Sequence, residues 1–77
     1  MSKIFYYLLM AEKISSSLNE YRTRAGLTQA QIAEAAGVTR QTIIAIEKGN
    51  YTPSVLLALK LAKILNATVE ELFSYVE

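Results

Sequence analysis

The stretch that most constrains this 77-residue chain is Thr28 to Gly49, TQAQIAEAAGVTRQTIIAIEKG. Thr28 is placed to cap a helix over Gln29–Ala36, and Gly37 can take the positive φ that stops it and turns the chain sharply. Thr39 then caps a helix over Arg40–Lys48, which Gly49 and Asn50 end. Helices this short, joined by so tight a turn, must cross closely. The side chains agree: Ile32 and Ala36 face inward, Ala33 is small where the next helix crosses, and Val38 fills the corner. On the second helix Ile43 and Ile46 face the core. Gln41, Ile44, Ala45 and Lys48 lie opposite, with Arg40 at the open N-terminal end.

The flanks extend this all-α pattern to a compact five-helix bundle on short connections. Ile14, Leu18, Tyr21 and Ala25 form the inner stripe of a first helix over about Glu12–Ala25, stopped by Gly26. Ser17 and Glu20 have the spacing of a capping box, which would start that helix later. Ser54 caps a fourth helix over Val55–Leu65, with Asn66 as a left-handed exit. Thr68 and Glu71 form a second capping box, opening a fifth helix from Val69 to about Tyr75. The apolar run Ile4–Met10 is rich in Ile, Phe and Tyr, which favours a strand, yet Ile4, Leu8 and Ala11 continue the helical spacing; Met10 as the biological start is a third reading. The expected division is an apolar extension over residues 1–11 and one domain over 12–77.

Inventory excludes most chemistry. There is no Cys and no His, so thiolate metal sites, disulfides and the usual general base are absent, and neither a metal nor a cofactor is expected. No two carboxylates form an evident catalytic pair, so an enzyme is not expected. Net charge is only +1, but residues 1–65 carry eight Lys and Arg against four Glu, a net +4, and the last twelve residues carry three Glu. A basic body with an acidic end suits a protein that meets a polyanion on one side. The apolar run is too short to span a bilayer and lacks a cleavage pattern, so a cytoplasmic protein is expected.

The alternation of small, Gly and branched residues in AAGVTRQTI, with RAGLTQAQIAE before it and IEKGNYTPS and ALKLAKILNATVEELF after it, resembles the helix-turn-helix of the Xre-type family, which includes the phage Cro and repressor proteins. The similarity covers about Ile14 to Phe73. It implies a sequence-specific DNA-binding transcriptional regulator, most simply a repressor, that binds an inverted-repeat operator as a homodimer. Base edges would be read by Arg40 and Gln41, with Ile44 and Ala45 offering apolar contact to thymine methyls. Thr28, Gln29, Thr39, Thr42, Lys48, Asn50 and Tyr51 would lie against phosphates. Arg22 and Glu47 would form a salt bridge joining the first helix to the third. Each has a plainer reading: Arg40 and Gln41 as solvated first-turn residues, Lys48 as a helix-end charge, Tyr51 packed on Pro53, Arg22 and Glu47 as unrelated surface charges.

The chain departs from that pattern in its apolar surface. Ile44 points outward, Leu56 stands where many relatives carry Glu, and the fourth helix is apolar nearly all round. At 52% hydrophobic residues, some of this surface is expected to be covered by a second copy, with Ile4, Tyr6, Leu8, Leu56, Leu72, Tyr75 and Val76 as interface candidates. The rival from another class is a protein-interaction module, such as an antitoxin or controller protein whose main partner is a toxin or other regulator.

Overall fold

A computed structural model describes residues 2–10 and 14–75, with the backbone alone for residues 7–10. Its elements in chain order are α1 (Lys3–Met10), β1 (Ile14–Ser16), α2 (Leu18–Arg24), α3 (Gln29–Ala36), α4 (Arg40–Glu47), α5 (Val55–Ile64), α6 (Val69–Leu72) and β2 (Phe73–Tyr75). The α3–α4 pair forms as the sequence predicts. Thr28 Oγ accepts from Gln31 N–H at 3.0 Å while Gln31 Oε1 accepts from Thr28 N–H at 2.8 Å, a complete capping box. Gly37 closes α3 at φ 74°, which a side chain would strain. Thr39 Oγ then accepts from Thr42 N–H at 3.2 Å to open α4.

The expected helix over Glu12–Ala25 is corrected by the structure. Ile14–Ser16 is extended and pairs antiparallel with Phe73–Tyr75, in the register Ile14 to Tyr75, Ser15 to Ser74 and Ser16 to Phe73. Consecutive serines compete with helical hydrogen bonding, and the partner strand lies nearly sixty residues away, where no local periodicity can announce it. Ser17 therefore does not build the expected capping box: its side chain makes no cap bond, and its N–H donates to Leu72 O at 2.8 Å. Ser16 Oγ accepts from Leu18 N–H in its place, at 3.3 Å. The last helix is likewise shorter than expected, ending at Leu72, because Phe73 turns extended to join the ribbon. Its Thr68–Glu71 capping box forms as predicted. The N-terminal run Ile4–Met10, open between strand and helix, lies in α1, whose first turn Ser2 caps through Oγ to Phe5 N–H at 3.1 Å.

α3 packs on α4 and α5, α5 on α6, and α2 on α4, enclosing one core. Leu18, Ile32, Ile43, Ile46, Leu61 and Leu72 are fully buried, and Ala33, Ala36 and Ala62 let the helices approach. Leu72 was an interface candidate; at 0% exposure it belongs to the core and cannot face a partner. Leu8 has no described side chain, and Val76 lies outside the described residues. The remaining candidates Ile4, Tyr6, Leu56 and Tyr75 are exposed. Among the described residues no helix is long and apolar enough to cross a membrane.

Two substitutions check this packing by urea unfolding. Leu61→Ala is expected to cost about 2–5 kcal/mol through the cavity it leaves among its neighbours. Gly37→Ala, with open space around it but a left-handed backbone, is expected to cost about 1 kcal/mol from strain alone.

Candidate nucleic-acid interface

The exposed side of α4 is organised by what its buried side anchors. Ile43 and Ile46 are sealed in the core, so the helix cannot roll, and Arg40 and Gln41 are held on the surface of its first turn. Ile44, Ala45 and Thr42 are half-buried along the same helix; Ile44 is thus less outward than its sequence position suggests. Lys48 caps the far end, and Asn50 and Tyr51 follow it, all three exposed. Tyr51 is open enough to reach a ligand without leaving the fold. Thr28 and Thr39 are exposed at the starts of α3 and α4, their oxygens occupied as caps; the Thr28 hydroxyl proton is available to an acceptor, while the Thr39 hydroxyl shares a hydrogen bond with that of Thr42 at 3.1 Å.

Behind this surface one carboxylate collects four hydrogen bonds. Arg22 Nε donates to Glu47 Oε2 at 2.6 Å and Arg22 Nη2 to Glu47 Oε1 at 3.3 Å. Gln29 Nε2 donates to the same Oε1 at 3.0 Å, and Asn19 Nδ2 at 3.2 Å. Arg22 Nη1 also donates to Leu27 O at 2.8 Å, so the guanidinium holds the α2–α3 loop as well. The two charged side chains are 12% and 6% exposed, which makes this a largely desolvated pair. Burial by itself would raise the Glu47 carboxyl; the hydrogen bonds from Arg22, Gln29 and Asn19 and the nearby positive charge outweigh it and hold it below its ordinary value near 4.5.

Gln29 joins this cluster to the surface. While donating to Glu47 it accepts from Arg40 Nη2 at 3.3 Å, bringing the start of α3 against the first turn of α4. Its second amide proton remains for an outside acceptor, beside the free N–H groups of the α3 N-terminus. Arg22, Leu27, Thr28, Gln29 and Arg40 surround a shallow depression of about 350 Å³. Two guanidinium groups, an amide and a helix start make it suited to an anionic oxygen. Asn19 and the Leu27 carbonyl were not among the candidates. Asn19 lies three residues before Arg22, one turn along the same face, which is the signal that could have found it. Among the described residues no cluster of acidic side chains could hold a metal ion.

Because the folded state depresses the Glu47 carboxyl, the unfolded chain takes up its proton more readily. The stability it adds is complete above the ordinary carboxylate range and is lost as pH falls through that range and past the lower folded-state value. Thermal melting between pH 7 and 3 should show this loss, and Glu47→Gln should melt lower at pH 7 and respond less to acid. Removing the carboxylate strands Arg22 and is expected to cost about 3 kcal/mol.

The family profile described as "Helix-turn-helix" matches residues 18–72 of this chain. An HTH-type transcriptional regulator of Bacillus subtilis, YgzD, is 47% identical over 60 residues, covering 78% of this chain and 91% of its own length. Another from Methanocaldococcus jannaschii is 48% identical over 62 residues, covering 80% and 94%. Among solved structures, the restriction-modification controller protein C.AhdI from Aeromonas hydrophila superposes with a TM-score of 0.65 at 35% identity, covering 70% of this chain and 82% of that one.

Proposed function

Because this chain belongs to the helix-turn-helix family of DNA-binding transcriptional regulators, we propose that it is a repressor that binds an inverted-repeat operator as a homodimer in the cytoplasm. The observation that carries this reading is the pairing of two exposed first-turn residues, Arg40 and Gln41, with a helix locked from behind by Ile43, Ile46 and Glu47. Arg40 is suited to guanine O6 and N7, and Gln41 to adenine N6 and N7. Ala45 and Ile44 supply methyl contact to thymine. The duplex backbone is gripped by Thr28 and Gln29 at one helix start, Thr39 and Thr42 at the next, and Lys48, Asn50 and Tyr51 beyond α4. Two such helices about 34 Å apart match successive major-groove faces.

Repression by occupancy is the simplest mechanism: a dimer bound across promoter elements keeps polymerase from them.

The second reading, a module whose main role is to hold a protein partner such as a toxin or another regulator, is favoured by one observation: Val55, Leu56 and Leu59 are exposed along one helix. Salt separates the two. DNA binding weakens steeply as salt rises, whereas an apolar protein contact barely responds.

Selection of bound fragments from random DNA, repeated with variants, tests the residue roles. Arg40→Ala should lose preference at one symmetric position, worth about 1–3 kcal/mol for each good base pairing. Lys48→Ala should weaken all sites evenly and lower the salt slope by about 1. An even loss across all sequences for Arg40→Ala would demote it to a phosphate ligand.

A further inference from the structure

Two apolar surfaces of this fold are left in water. The first is α1. Ile4, Phe5 and Tyr6 are 55–64% exposed, and its sequence, KIFYYLLM, carries a single charged residue. An eight-residue helix is marginal in water by itself, and a helix apolar on every side normally lies between two partners. The second lies on α5 and its surroundings. Val55, Leu56 and Leu59 are 54–77% exposed. Beside them runs an apolar groove of about 220 Å³, walled by Val55, Ala58 and Leu59 on α5, Val69 on α6, and Ile14 and Phe73 on the ribbon.

Among the described residues of one protomer neither surface covers the other: Ile4, Phe5 and Tyr6 stay open, as do Val55, Leu56 and Leu59. The molecule is drawn out accordingly, 44 Å along one axis against 22 and 19 Å along the others. Six side chains of this size left this open amount to roughly 700 Å² of apolar surface, close to the ~800 Å² per partner that a stable interface takes. One occupant accounts for both surfaces at once.

We propose that α1 of one protomer docks in the groove between α5 and the β1–β2 ribbon of a second copy, and that the two copies exchange this contact about a two-fold axis. This rests on the homodimer reading above and names the segment and the groove that make the dimer. Helix and groove sit at the same end of the fold: α1 ends at Met10, and Ile14, four residues on, lines the groove. Four residue steps reach no more than ~14 Å, so an axis near Ile14 lets both exchanged contacts close in one continuous interface. Closure matters, since a one-way contact of this kind would propagate into filaments. The interface uses none of the residues assigned to DNA, so an exchanged dimer leaves both α4 surfaces open.

The 77-residue chain contains no cysteine, which makes cross-linking a clean test on it. Tyr6→Cys chains are mixed with Leu59→Cys chains and oxidised, and a chain carrying both substitutions is oxidised alone. Both positions are exposed, so folding is not at stake. The expected result is a covalent dimer joining one variant to the other, in excess over either variant alone, and covalent dimers from the double variant. An internally bridged monomer would overturn the exchange, showing that α1 covers its own groove. No bridge of either kind in a chain that sediments as a dimer would overturn the proposal while sparing the homodimer. A chain that sediments as a monomer would remove both. Flotation of such a monomer with anionic lipid vesicles, lost in Phe5→Ser, would assign α1 to a lipid surface and overturn the proposal too.

Discussion

The structure turns on a carboxylate that three helices share. Glu47, at the end of α4, accepts from Arg22 and Asn19 of α2 and from Gln29 of α3. Apolar packing through Ile43 and Ile46 fixes how deep α4 sits, but packing is tolerant of small rotations. A bidentate guanidinium pair is not, because its two hydrogen bonds demand one plane. With Gln29 spanning from Glu47 to Arg40, the orientation set in the interior is carried to the first turn of α4. The surface proposed to meet a duplex is thus preorganised before any duplex arrives, which limits the ordering cost of binding.

The same fold leaves an unusual amount of apolar surface outside its core. A domain of this size has little core to spare, yet Val55, Leu56 and Leu59 contribute nothing to it while Leu57, Ala58 and Leu61 on the same helix do. α5 therefore has two working faces, one for its own chain and one facing away. In the proposed exchange with α1, the second face would tie association between copies to the spacing of two α4 helices, so that the quaternary contact and the geometry of DNA recognition become one problem.

How much of this was legible depends on how far apart the cooperating residues lie. α3 and α4 could be placed to within a residue because Thr28, Gly37 and Thr39 act through neighbours two to four positions away. The ribbon could not, since Ile14 keeps helical phase with Leu18 and its true partner is Tyr75. The Ser17–Glu20 spacing imitates a capping box that does not form, while the Thr28–Gln31 box, equally visible in the letters, does. Leu72 looked available to a partner because the helix after it was expected to continue; with the chain turning extended at Phe73, it closes the core instead. Gln29 was read toward a phosphate from its place at a helix start, and its inward bond to Glu47 depends on a contact between helices that no spacing displays.

The most direct measurement is a dimethyl sulfate footprint on a selected binding site, because guanine N7 lies in the major groove and adenine N3 in the minor. Reading by the first turn of α4 in a symmetric pair predicts protection of guanine N7 at two positions related by dyad symmetry and separated by about one helical turn. Protection of adenine N3 with guanine N7 untouched, or a single patch without a symmetric mate, would contradict it.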